Sequence, residues 1–296
     1  MTNVAVVAHA GKTVGGGLGE LRAELGRNGI DRPLWFEVSK SRKAPKRVRQ
    51  ALDEGAELVF AWGGDGTVQR CLDVMAGTEA TLAVVPAGTA NLFASNLGIP
   101  QDIGEAVRIG LNGQERKLDV GRMRGERFGV MAGAGLDARM IRDADGTLKD
   151  RLGRIAYVWT AVKNARASTF RAKIRVDGTQ WYEGEASLVL AGNLSEVFAG
   201  VEAFEGSEPD DGQLELGVVR AEGLVEWART AARVATGKSS NSPFVQQTRA
   251  RTVEVKFDRK VPYELDGGDR DPVKRFDLEV EPAAIAVRVP TEAEAA

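Results

Sequence analysis

An apolar run, Leu58-Val59-Phe60-Ala61-Trp62, leads without a spacer into Gly63-Gly64-Asp65-Gly66-Thr67 and then into a segment with helical spacing. No other stretch limits the fold as strongly. Three glycines in four positions permit left-handed dihedrals and let a ligand approach the backbone, while the start of the helix offers N–H groups to an anion such as phosphate. Asp65 does not itself welcome phosphate. Its carboxylate suits a magnesium–water network, or the orientation of neighbouring donors, beside a nucleotide whose charge the cation offsets. Without a ligand, the same residues describe a glycine-rich turn capped by Asp65. Neither a Walker A signature nor the protein-kinase motif set is present.

A second junction repeats the arrangement. Leu82-Ala83-Val84-Val85 ends in Pro86-Ala87-Gly88-Thr89-Ala90-Asn91-Leu92-Phe93-Ala94. In a parallel sheet the two strand ends lie side by side, so Thr89 and Asn91 face the phosphates from the opposite side. Alone, this is a Pro-Gly turn with Thr89 or Asn91 capping the next helix. Two such units in one chain favour a nucleotide site.

The surrounding pattern predicts the architecture. Val4–Ala8, Leu34–Val38, Leu58–Trp62 and Leu82–Val85 read as strands, separated by helices over Leu18–Arg27, Ala44–Gly55 and Thr67–Ala76. This is an open, mostly parallel α/β sheet, whose ligands bind beyond the carboxyl ends of the strands. From about Leu118 the character changes to short β-rich runs: Arg127–Ala132, Arg171–Val176, Glu185–Ala191, Leu214–Val219, Thr252–Phe257 and Ile285–Val289. Helices over Arg151–Ala165 and Gly223–Thr236 interrupt them, and Gly237–Pro243 reads as a loop. The expected division is an α/β domain over 1–121 and an antiparallel β-sandwich domain over 122–296, with Thr291–Ala296 a frayed tail.

Composition narrows the function classes. With 43% hydrophobic and 28% charged residues, each half can bury a core without disulfides or metals, and the single Cys71 forms no internal disulfide. One cysteine and no long N-terminal apolar stretch fit a soluble, cytoplasmic chain. A net charge of −2 argues against general nucleic-acid binding. Basic residues nevertheless cluster. Lys40, Arg42, Lys43, Lys46, Arg47 and Arg49 occur with no acidic residue between them, and Arg139 to Arg175 holds ten basic residues against three aspartates. Such runs are either solvated helix faces or a surface that attracts anionic lipid headgroups at roughly 1 kcal/mol per basic residue. The second choice implies peripheral contact with an anionic inner membrane face. Assembly stays open, a homodimer being one expectation.

The paired loops, GGDGT after one strand and PAGTANLFA after the next, resemble the catalytic domain shared by diacylglycerol kinases, sphingosine kinases and bacterial lipid kinases, distantly related to NAD kinases. The likeness continues through Leu118-Asp119-Val120-Gly121, Gly133–Gly135 with Asp137-Ala138, Asp211-Gly212-Gln213-Leu214 and Asp266-Gly267. It implies ATP and a lipid substrate meeting between a nucleotide domain and a β-sandwich. Gly63 to Thr67, Thr89 and Ser39 would line the ATP site. A structural magnesium would sit at Asp211, helped by the backbone carbonyls of Glu208 and Gln213.

Four departures from that pattern carry weight. The family's opening Asn-Pro is His9-Ala10, although Gly11 and Gly15-Gly16-Gly17 can still form a phosphate-facing turn. The Asn-Glu expected after GGDGT is Gln69-Arg70. The small glycine-rich segment before Asp211 is reduced to Phe198-Ala199-Gly200-Val201. The family's Asp-Gly-Glu, whose Glu is taken as the general base, is Asp266-Gly267-Gly268-Asp269.

Phosphoryl transfer to an alcohol needs a carboxylate to accept the hydroxyl proton, and glycine supplies none. Asp269, one residue further on, is the first candidate because a two-glycine loop can aim it, and Asp266 is the second. The other choice is a polar hairpin turn with activity poor or lost. His9, the only histidine, is either a phosphate contact or a local turn residue, and it rules out any multi-histidine metal site. Cys71, within a predicted helix, reads as packing. Three functions follow: an ATP-dependent lipid kinase, a catalytically silent nucleotide- or lipid-binding regulator, and an NAD kinase, against which PAGTANLFA argues.

Overall fold

Three strands of the first half, Val4–His9, Leu58–Gly63 and Thr81–Pro86, carry no Asp, Glu, Lys or Arg on either face. That is the signature of a sheet covered on both sides. In a computed structural model, which describes residues 3–135, 169–198, 201–204, 206–221, 226 and 244–291, β1 (Val4–His9), β3 (Leu58–Gly63) and β4 (Thr81–Pro86) are buried along almost their whole length. The expected helices over 151–165 and 223–236, the 237–243 loop, Asp137 and most of the second basic run lie outside the described residues.

The chain divides into two units, 1–120 with 282–296 and 121–281. In the first, β1 is followed by α1 (Gly17–Arg27), β2 (Leu34–Val38), α2 (Ala44–Asp53), β3, α3 (Asp65–Met75), β4, α4 (Leu92–Asn96), α5 (Ile103–Asn112) and the start of β5 (Gln114–Met123). β1 pairs in parallel with both β2 and β3, and β3 pairs in parallel with β4. Because β2 and β3 leave β1 on opposite sides, the chain reverses direction across the sheet between β1 and β3. That is the switch point at which α/β sheets open a crevice. One face carries α1 against α5, the other α2 against α3. The sheet gains a fifth parallel member from far along the chain, where Ala286 and Val287 pair with Thr81 and Leu82.

The second unit is an antiparallel β-sandwich. Its strands are β6 (Glu126–Phe128), β7 (Met131–Ala134), β8 (Phe170–Val176), β9 (Thr179–Ala186), β10 (Leu188–Gly192), β11 (Glu196–Phe198), β12 (Val201–Glu202), β13 (Leu214–Val219), β14 (Val245–Ala250), β15 (Thr252–Leu265) and most of β16 (Gly268–Val289). β15 belongs to both layers: residues 253–257 pair with β8, whereas 263–265 pair with β7, the register to β16 shifting between Lys256 and Val261. Between the layers lie Phe170, Ile174, Leu216, Val255, Phe257 and Phe276, with the rings of Phe170 and Phe257 edge to face at 5.0 Å.

Two expected strands are broken in the fold. Arg127–Ala132 divides into β6 and β7 because the N–H groups of Gly129, Val130 and Met131 donate to the Asp266 carboxylate instead of a neighbouring strand. Glu185–Ala191 divides at Ser187, whose N–H and hydroxyl both donate to the Val219 carbonyl.

Candidate active site

The loops after β3 and β4 touch backbone to backbone. Ala87 N donates to Gly63 O at 2.8 Å, continuing the β3–β4 ladder past the strand ends. A Cβ on Gly88 would stand 2.4 Å from the Gly64 Cα, and one on Gly64 would stand 3.0 Å from the Gly88 Cα. Only glycine at both positions lets the loops close to this distance. A Cβ on Gly66 would meet nothing within 4 Å, so the first turn of α3 is open above that residue.

Polar side chains hold this junction in place. Asp65, the first residue of α3, accepts a hydrogen bond from Phe93 N at 3.2 Å, so the carboxylate of one loop caps the short helix of the next. Burial raises its pKa, and the N–H groups of Phe93, Leu92 and Asn91 pull it back down. Asn91, in the left-handed region at φ 50°, accepts from Gly88 N at 2.8 Å and donates to Gly88 O at 3.0 Å. Its amide therefore shapes the loop, while Thr89 beside it is exposed. Thr67 is buried, with its hydroxyl 2.9 Å from that of Ser41. Ser39 accepts instead from Lys43 Nζ at 3.1 Å. Ser41, which the sequence reading passed over, is thus the residue of the β2 loop that meets the glycine loop; only its position two residues past Ser39 could have pointed to it.

The first loop is anchored to the same place. Trp62 Nε1 donates to Lys12 O at 3.2 Å, tying the segment after β1 to the end of β3. His9 Nδ1 accepts from Gly11 N at 3.1 Å, a bond within the turn that follows β1. Gly15 and Gly17 adopt φ 48° and 71° as the chain enters α1.

In the second unit, β15 and β16 meet in a two-residue hairpin. Asp266 and Gly267 have φ 45° and 74°, the geometry Asp-Gly favours in a type I′ turn. The Asp266 carboxylate is buried and accepts from Gly129, Val130 and Met131 N at 2.8, 2.9 and 2.8 Å. It therefore acts as an anchor for the β6–β7 junction, and this corrects its candidacy as a base. A side chain at Gly268 would come within 2.8 Å of Arg270 Nη1, and Arg270 donates to Gly268 O and pairs with Glu126 at 2.7 Å. Arg270 thus occupies the space beside the position lacking its glutamate. Asp269 is exposed and stands directly opposite Glu264. Glu264, absent from the sequence reading, is 1% exposed, and burial first, then Asp269 and Asp266, push its carboxyl up to about 8.

The residues expected to hold magnesium lie in one turn before β13. Asp211 accepts from Gln213 N at 2.9 Å and faces Arg249 Nη1 at 3.4 Å, while Glu208 is exposed. Arg249 is shared with Glu215, which its Nε meets at 2.9 Å. Among the described residues no group of three or more His, Cys, Asp or Glu side chains is arranged to hold a metal ion, so a cation at this turn would rest on Asp211 and backbone carbonyls.

A family model described as the diacylglycerol kinase catalytic domain matches residues 10–123, and one described as the YegS C-terminal NAD kinase beta sandwich-like domain matches residues 130–289. The diacylglycerol kinase of Bacillus subtilis is 31% identical over 76% of this chain and 75% of its own length. A Klebsiella pneumoniae protein named "Probable lipid kinase YegS-like" is 28% identical over 84% of this chain and 83% of its own. Among solved structures, a diacylglycerol kinase from Bacillus anthracis shares the fold at TM-score 0.76 and 23% identity, covering 97% of this chain and 96% of that one. An NAD kinase from Archaeoglobus fulgidus in complex with ATP matches at 0.56 and 13%, covering 97% and 93%.

Proposed function

The chain belongs to the diacylglycerol kinase and YegS-type lipid kinase family, and from that premise we propose that it transfers the γ-phosphoryl group of ATP to a hydroxyl of diacylglycerol or a related lipid. The observation that carries the ATP part of this reading is the glycine-to-glycine contact of the β3 and β4 loops. Loops packed so closely leave the start of α3 with no side chain over Gly66, so that a phosphate chain can approach the backbone at the helix N-terminus. Magnesium enters with the nucleotide as part of the co-substrate and offsets phosphate charge. Asp65 serves by orienting Asn91 to Phe93 against the glycine loop, so its effect on phosphate binding is indirect.

For the acceptor half, Asp269 is the candidate proton acceptor. It is exposed at the end of the hairpin, whereas Asp266 is buried under three N–H groups. Transfer of labelled phosphate from ATP to extracted lipids, followed by mass spectrometry of the products, tests the reading. We expect a phosphorylated glycerolipid from the wild type and a loss of about 10²- to 10⁴-fold in kcat for Asp269→Asn, the usual worth of a general base.

Gly268 favours one second reading, a nucleotide-binding regulator without turnover. ATP binding with no labelled lipid would support that reading and end the first. NAD as acceptor, assayed beside the lipids, separates the kinase reading from the more distant NAD kinase likeness.

A further inference from the structure

Glu264 lies where a charged side chain is expensive. It faces away from the sandwich core, since its neighbours Tyr263 and Leu265 are the residues that enter that core. Its partner across the ladder on one side is Gly133, which brings no side chain of its own, and a Cβ there would stand 3.5 Å from Oε1 and 3.3 Å from the Leu190 Cδ1. On the other side its partner is Asp269. Directly opposed residues on one sheet face have Cβ atoms about 4.5–5.5 Å apart, close enough for two carboxyl groups to feel each other strongly. Neither carboxylate oxygen of Glu264 has a hydrogen-bond partner among the described residues. The groups that act on it are Asp269 on β16 and Asp266 at the turn, both acidic, while β7 contributes Gly133 and no charge.

We propose that Glu264 stays protonated opposite Asp269, so that its burial adds no second negative charge beside the Asp269 carboxylate that receives the proton of the attacking hydroxyl. This rests on the lipid kinase reading. In that step the lipid oxygen bonds to the γ-phosphorus and the bond from that phosphorus to the ADP oxygen breaks. The bonding pair leaves with ADP, and the hydroxyl proton passes to the Asp269 carboxylate. Glu264 is a positioning residue: touching no reacting atom, it keeps the pair at a single negative charge. A second charge would set two carboxylates against each other across the ladder. Turnover therefore falls as pH rises through the transition near 8, where burial and the two aspartates place the loss of the Glu264 proton.

Two measurements on the full-length protein test the pair, using Glu264→Gln, which keeps the shape and the neutral state, and Asp269→Asn. Infrared spectra across a pH titration should show a neutral carboxyl band at neutral pH that is missing in Glu264→Gln. In Asp269→Asn the band should titrate at lower pH than in the wild type, because a repelling charge has gone. The alkaline fall in lipid phosphorylation should be present in the wild type and absent from Glu264→Gln. A band unchanged by Glu264→Gln, a titration unmoved by Asp269→Asn, or an alkaline fall retained in Glu264→Gln each overturns the pair. If the wild type phosphorylates no lipid, the kinase reading fails by itself and the infrared titration still decides whether Glu264 holds its proton against Asp269. Thermal unfolding of both variants confirms that they are folded.

Discussion

Asp266 accepts hydrogen bonds from three consecutive N–H groups more than 130 residues earlier in the chain, and those bonds separate β6 from β7. Removing the carboxylate leaves three buried donors without their acceptor, at about 1–3 kcal/mol each when uncompensated. Asp266→Ala should therefore lose about 3 kcal/mol or more in urea unfolding; a loss below about 1 kcal/mol would mean that the anchor role is wrong. Sequence reasoning identified Asp-Gly as a turn, because the φ preferences of those two residues are local. It did not identify what the carboxylate holds, because Gly129 to Met131 arrive only when the sheet forms. The same reason separates Ser39 from Ser41: both lie past β2, and only the approach of Thr67 distinguishes them. Cys71 agrees with its sequence reading, since full burial raises its thiol to about 12 and leaves it unreactive.

At the scale of elements, the β3 and β4 loops form a pair whose spacing is set by two missing side chains. Gly88→Ala places a Cβ 2.4 Å from a backbone atom that has no flexible end to swing away. The loops must separate, and the Asp65 cap on α4 separates with them. We expect a stability loss of about 1–3 kcal/mol by thermal unfolding and a weakening of ATP binding in calorimetry. Gly66→Ala, whose Cβ meets nothing, is the control for stability. Wild-type stability in Gly88→Ala would show that the contact bears no strain. Strands β1 to β4 and helices α1 to α3 were legible because apolar runs and helical spacing are short-range signals. The full 14 residues of β15 were not, since residues 258–260 carry a register shift where the strand passes from one layer to the other.

For the molecule as a whole, the chain leaves the first unit in β5 and returns to it at the end of β16, where Ala286 and Val287 complete the parallel sheet beside β4. Lys40, Arg42, Lys43, Lys46 and Arg49 are exposed around the start of α2, whereas Arg47 is half-buried with its guanidinium 5.9 Å from the Phe36 ring. Among the described residues no helix is long and apolar enough to cross a membrane. We propose that this basic face gives peripheral contact with anionic lipid. Vesicles containing phosphatidylserine should recruit the protein more than neutral vesicles, with recruitment fading as salt shortens the screening length to about 3 Å at 1 M. Equal recruitment by both kinds would remove the proposal. The sequence alone determined the two strand–glycine–helix junctions, the change from parallel to antiparallel character and the family resemblance. All of these depend on residues that are neighbours along the chain. The tertiary structure decided the surroundings of each carboxylate: Asp65 and Asp266 accept from backbone N–H groups, and Glu264 is buried opposite Asp269. The state of a carboxyl group depends on the donors, charges and water around it, and distant segments bring these together only on folding.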